Sequence, residues 1–167
     1  MKESKTKKLC VYAVLTAAAL VFGYVELLFP LDFIAPGMKL GIANAVALYL
    51  ICRGRRLGAF AVNTARILLG GLLFGNPFSL LFSATAGFAA VGAMCLASKS
   101  RRLGVVGVSA VGSLVHNLTQ LAVAVLTVGG GVWFYLPFLL LAGTAAGVLI
   151  GLLTYFLLQK TARVSLL

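Results

Sequence analysis

The stretch "SLVHNLTQLAVAVL", residues 113–126, carries the one histidine of the chain, His116, with Asn117 beside it and Gln120 three residues further on. Asn117, Leu118 and Thr119 also spell a glycosylation sequon, which needs a surface loop. In a soluble domain such a stretch is unremarkable. In lipid, an imidazole and two amides require a reason. Composition decides between the two. Of 167 residues 62% are hydrophobic and only 10% charged, and the mean hydropathy is +1.10. Soluble domains carry about 25% charged residues, and none of this length has interior enough to hide so much apolar surface. The solvent for most of the chain is lipid, and residues 113–126 lie within a membrane span.

Charge placement gives the topology. The net charge is +11. Lys2, Lys5, Lys7 and Lys8 precede the first apolar run, Arg53, Arg55 and Arg56 share one connection, and Lys99, Arg101 and Arg102 share another. Lys160 and Arg163 lie in the tail. The intervening connections hold only Lys39, and Arg66 lies inside an apolar segment. Basic residues in alternate connections are the positive-inside pattern, with both termini in the cytoplasm of a cell-membrane protein. No interleaving of aromatic and basic residues supports a nucleic-acid partner.

A bilayer core takes about 20 helical residues to cross. Spans are expected at about 9–29, 40–52, 57–74, 78–97, 103–127 and 134–158, all within one domain covering residues 1–167. The expected fold is therefore all-α, a polytopic bundle of six transmembrane helices. The first apolar region continues well past 15 residues with no A-x-A-like site closing it, which argues against a signal peptide. Trp133 and Tyr135 fall at the outer end of span six, where amphipathic rings belong. Gly143, Gly147 and Gly151 form a small-xxx-small stripe, and Ser83 with Gly87 and Gly71 with Gly75 form shorter ones. Such stripes let helices approach closely in lipid. Ala13 and Ala17 repeat the spacing on span one, either as internal packing or as a groove for another protein's helix. Three cysteines without a CxxC read as reduced thiols, and no metal site is implied.

Only three acidic residues exist, Glu3, Glu26 and Asp32. Mg-diphosphate and two-metal chemistry depend on carboxylate ligands, and no GxxxxGK[ST] is present, so an autonomous enzyme is not expected. What remains is a set of polar groups in lipid. An arginine at mid-helix costs about 2.5–3.5 kcal/mol on insertion scales and is rarely idle. By rise per residue, Arg66, His116 and Asn117 come out near the midplane. Gln120, Glu26, Asn44 and Lys39 come out between there and the outer surface. Ser113, His116, Asn117 and Gln120 are expected on one face of span five. Together these residues can line a polar pocket opening outward, basic or neutral in charge, suited to an anionic ligand or a flat heterocycle read by amides. The plainer alternative is that they satisfy one another, for example Glu26 with Arg66. A sequon at this depth is not glycosylated.

"PGMKLGIAN" (36–44), "ARILLGGLLFG" (65–75) and "VHNLTQL" (115–121) together resemble, in order and over nearly the whole chain, the Gx transporter family, also called heptaprenyl diphosphate synthase component I. That family is similar to the substrate-binding subunits of energy-coupling-factor (ECF) uptake transporters. The resemblance implies an ECF S-component-like fold, with the first outer connection, "PLDFIAPGMK" (30–39), capping a ligand pocket. It implies that Ala13 and Ala17 dock onto a transmembrane coupling subunit driven by two ATPases. It implies no cofactor. The partners expected are thus a small-molecule substrate, the lipid bilayer, and that coupling subunit with its ATPases. The alternative is a non-catalytic membrane partner in isoprenoid or quinone synthesis. With one aspartate and no DDxxD motif, the chain itself does not bind Mg-diphosphate as prenyl synthases do.

Overall fold

In the computed structural model, residues 5–28, 39, 41–74, 76–100 and 102–161 are described. They form six α-helices: α1 (Lys5–Leu27), α2 (Asn44–Cys52), α3 (Arg56–Phe74), α4 (Pro77–Ala97), α5 (Val105–Val128) and α6 (Leu136–Thr161). A 3-10 helix at Gly130–Tyr135 leads into α6 and carries Trp133 and Tyr135. Among the described residues there is no strand. Five helices are long and apolar enough to cross a membrane, which makes the chain a multi-pass membrane protein in keeping with the sequence.

The second span departs from the expectation. Helix α2 has only nine residues, about 14 Å at 1.5 Å per residue and half of a bilayer core. It starts at Asn44 and not at residue 40, because Gly41 has a φ of +85°. That left-handed conformation suits glycine alone and breaks any helix approaching from residue 40. The bundle of six transmembrane helices is therefore five full-length helices around one half-length helix. Asn44 through Ile51 are all buried, and α2 touches each of the other five helices. Apart from Asn44 and Tyr49, its side chains are apolar all round, as an enclosed helix requires.

Small residues set the spacing of the outer helices. A Cβ on Gly143 would collide with Asn117, and one on Gly147 would lie 2.9 Å from the Ala110 Cα. On Gly151 it would lie 2.7 Å from the Val106 Cα. The stripe on α6 is thus the seam with α5, where the two backbones meet. On the other side of the bundle α1 and α3 run side by side in the same direction. Tyr12 covers Gly58, Leu20 covers Gly70, and the rings of Tyr24 and Phe74 lie 5.4 Å apart. Helix α4 starts on a capped turn, the Asn76 side chain accepting from the Ser79 N–H at 2.7 Å with Pro77 at the first helical position.

The basic residues gather at one end of the bundle. Arg53 donates to the Thr161 carbonyl, the Tyr49 hydroxyl donates to the Thr161 hydroxyl at 3.2 Å, and Arg56 donates to the Ser98 hydroxyl at 3.4 Å. These bonds tie the α2–α3 turn to the ends of α6 and α4. The core has two parts, one around α2 with Leu48, Leu50, Val91 and Met94, and one near the opposite end with Phe82, Leu121 and Leu139.

Candidate functional site

The polar residues meet where α2 begins. Gly41, Ile42 and Ala43 turn the chain into the helix, with the Asn44 N–H donating to the Gly41 carbonyl at 2.9 Å. No side chain within the turn caps α2. Glu26, at the end of α1, reaches over instead, and its Oε1 accepts from the Ile42 N–H at 2.5 Å. A carboxylate beside a helix N-terminus is favourably placed by the helix dipole, and the charge-assisted bond makes the short distance reasonable. The turn itself tolerates only glycine at position 41. A Cβ there would lie 2.9 Å from Asn44 Nδ2 and 3.1 Å from His116 Cδ2.

Asn44, the first residue of α2, is the hub. Its Oδ1 accepts from Arg66 Nη2 at 3.0 Å, and its Nδ2 lies 3.3 Å from His116 Nδ1. Arginine has no acceptor, so the first bond fixes the amide orientation and the second must run from Asn44 Nδ2 to the ring. His116 Nδ1 is then the acceptor, and the ring proton sits on Nε2. Arg66 Nε donates in turn to Asn63 Oδ1 at 3.1 Å. A second strand of the network starts at Lys39. Its backbone N–H donates to Gln120 Oε1 at 3.2 Å, and its Nζ donates to Ser83 Oγ at 3.3 Å.

The structure thus joins Asn44, Arg66 and His116 in one chain of hydrogen bonds and Lys39 with Gln120 in another, and it sets Glu26 on the turn between them. It parts Asn117 from this set. Asn117 Nδ2 donates to the Leu139 carbonyl at 3.4 Å, and its side chain lies against Gly143 in the α5–α6 seam. Ser113, His116, Asn117 and Gln120 are all buried on α5 at the expected same-face spacing, but that face is divided between two neighbours. Neighbouring helical residues point about 100° apart. His116 and Gln120 turn toward the start of α2, while Ser113 and Asn117 turn toward α6, Ser113 lying against Gly147. Asn63 and Ser83 belong to the cluster although sequence reasoning did not select them for it. The spacing Asn63 to Arg66 is one helical turn, and that was the available signal.

A cleft of about 40 Å³ opens beside the cluster, with Glu26, Lys39, Arg66, Ser79 and Ser83 as its polar wall. A separate apolar groove of about 460 Å³ runs between α1 and α3, and Ala13 and Ala17 line it with Tyr12, Ala61 and Ala65. Of the expected capping loop, 30–39, only Lys39 lies within the described residues. Among the described residues, no three of His, Cys, Asp and Glu come close enough to hold a metal ion, and Cys10, Cys52 and Cys95 are free thiols.

Comparison with known proteins identifies one family. Heptaprenyl diphosphate synthase component I matches residues 15–157, most of the chain. No curated protein and no solved structure matches.

Proposed function

The chain belongs to the heptaprenyl diphosphate synthase component I family, and from that premise we propose that it is a membrane-embedded binding subunit, the substrate-binding component of an ECF-type uptake transporter. It takes a small ligand, anionic or heterocyclic, at the start of α2 from the extracellular side. It catalyses no reaction itself.

One observation carries this reading. The acceptors of the cluster are spent internally and several of its donors are not. Asn44 Oδ1, Asn63 Oδ1, Gln120 Oε1, His116 Nδ1 and Ser83 Oγ all accept bonds from within the network. Asn63 Nδ2 and Gln120 Nε2 are buried donors with no hydrogen-bond partner among the described residues, and His116 Nε2 makes no well-formed bond, with the Ala86 and Lys39 backbone carbonyls beside the ring. Buried amides and imidazoles are ordinarily paired, and leaving such a group unpaired costs about 1–3 kcal/mol. Elsewhere among the described residues the unpartnered buried atoms are Ser113 Oγ, Asn117 Oδ1 and Thr154 Oγ1, so the run of donors is particular to this cluster. Such donors beside Lys39 and Arg66 suit a ligand that brings oxygen acceptors.

Charge supports the orientation. The basic end of the bundle faces the cytoplasm by the positive-inside rule, which turns the start of α2 outward. The groove at Ala13 and Ala17 supports a partner helix, since both side chains are small and exposed. Small residues are what close helix–helix docking in lipid uses. The family's description favours a second reading, a non-catalytic membrane subunit of a prenyl diphosphate synthase. The two part on what binds the protein. In gentle detergent extraction from the native membrane, the transport reading expects a membrane coupling subunit and its ATPases to co-purify. It expects Ala17→Leu, which fills the groove, to lower their recovery at least tenfold while the bundle still melts as the wild type does. Recovery of a soluble prenyl synthase, unaffected by Ala17→Leu, would replace the transport reading with the second.

A further inference from the structure

The cleft beside the cluster is small for a complete ligand. Sites for water-soluble ligands of vitamin or drug size enclose about 300–1,000 Å³, and this cleft measures about 40 Å³. A water needs about 10–15 Å³ by the same kind of measure, so there is room for a headgroup and little else. The polar wall fits one. Lys39 and Arg66 bring two cationic groups to this wall and Glu26 one carboxyl. Ser83 Oγ accepts from Lys39 Nζ, which leaves its hydroxyl proton to donate elsewhere, and Ser79 adds a second hydroxyl.

The rest of the wall is apolar and belongs to the crossing of α1 and α3, with Gly23, Tyr24, Gly70 and Phe74 among its residues. Tyr24 and Phe74 are 49% and 50% exposed, so this wall reaches the outer surface of the bundle, which in a membrane is the lipid face. Glycines keep the two helices from closing there. A Cβ on Gly23 would meet nothing within 4 Å, and one on Gly70 would meet only Leu20 Cδ2, at 3.6 Å. The polar cleft therefore opens sideways, between two helices, toward acyl chains.

We propose that the ligand is an amphipathic anion. An oxyanion head lies against Lys39, Arg66 and the two serines, and an apolar chain leaves between α1 and α3, past Gly23, into the bilayer. The proposal rests on the ligand-binding reading above and narrows it. An oxyanion accepts from the ammonium, the guanidinium and the hydroxyls that line the cleft, and the chain needs no cavity because lipid already solvates it.

The test uses the full-length protein in nanodiscs of zwitterionic lipid, with dodecyl phosphate and myristate as chain-bearing probes and inorganic phosphate and acetate as head-only probes. Binding is read by native mass spectrometry after release. The expected result is one chain-bearing probe per protein, bound at least tenfold more tightly than its head alone. Gly23→Leu, whose side chain enters open space, should weaken the chain-bearing probe at least tenfold with an unchanged melting temperature. Arg66→Gln should weaken every probe that binds. Equal affinity for phosphate and dodecyl phosphate, or full affinity in Gly23→Leu, would overturn the amphipathic ligand while leaving an anion site in place. Binding of no probe, or Arg66→Gln binding as the wild type does, would overturn the anion site as well.

Discussion

Asn44 holds together the first of the two hydrogen-bonded chains, taking a hydrogen bond from Arg66 and giving one to His116. Side-chain bonds within membrane proteins average about 0.6 kcal/mol, because the unfolded chain in lipid also finds partners. Asn44 should exceed that average, since one partner is a guanidinium and the hub, like His116, is almost fully buried. Asn44→Ala leaves a cationic donor and a ring nitrogen unpaired in the interior, and such groups cost about 1–3 kcal/mol each. We expect a loss of about 2 kcal/mol in denaturant unfolding in detergent, together with loss of ligand binding. A loss below 0.5 kcal/mol (about half a unit on the same scale) would mean that Asn44 is not the hub. The residue types of this cluster were legible in the sequence because an ionisable or amide group in lipid stands out against its surroundings. Its wiring was not. Whether Glu26 answers Arg66 or a backbone N–H depends on the turn at Gly41, and one hydropathy profile is compatible with either.

At the scale of elements, the α5–α6 seam depends on glycine. Gly147 meets backbone on the facing helix, the Ala110 Cα at 2.9 Å from an added Cβ, and backbone does not rotate out of the way as the end of a side chain does. Overpacking a close contact typically costs about 1–3 kcal/mol. Gly147→Val should therefore destabilise the bundle by roughly that amount, whereas Gly92→Ala, with nothing within 4 Å of its added Cβ, should melt as the wild type does. Thermal unfolding of the two variants side by side checks this. The five long helices could be read from the sequence to within a few residues, since bilayer thickness fixes their length and charge fixes their ends. The start of α2 could not. An apolar run reads alike whether its first four residues are helical or turned, and only the conformation of Gly41 distinguishes the two. The neighbour that Asn117 serves could not be read for a related reason, because one helix face about 100° wide can meet two other helices.

At the scale of the whole molecule, orientation is open to a direct test. Ser100 lies exposed in the turn between α4 and α5, and Gly130 lies exposed at the opposite end of the bundle. In a background without native cysteines, Gly130→Cys should react with a membrane-impermeant maleimide in intact cells, and Ser100→Cys only after the membrane is opened. The reverse pattern would invert the topology and place the start of α2 on the cytoplasmic side. The alternation of basic connections yields this orientation as an expectation from sequence, whereas the shape of the cleft needed the α1–α3 crossing, which no single helix encodes.

The hydrogen bonds of the cluster also differ in how far apart their partners lie along the chain. Glu26 and Ile42 are 16 residues apart and Arg66 and Asn44 are 22, but His116 and Asn44 are 72 apart and Gln120 and Lys39 are 81. A ribosome adds about 5–20 residues per second. The carboxylate and the guanidinium thus meet their partners within a few seconds of entering the membrane, while the start of α2 waits several seconds more for α5. The site is finished only when α5 arrives, well after α1 to α3 are in place, and until then a half-built polar face stands in the bilayer. A nascent chain stalled after α4 therefore holds Asn44 and Arg66 but lacks His116, so the order of synthesis divides the hub's two bonds in time.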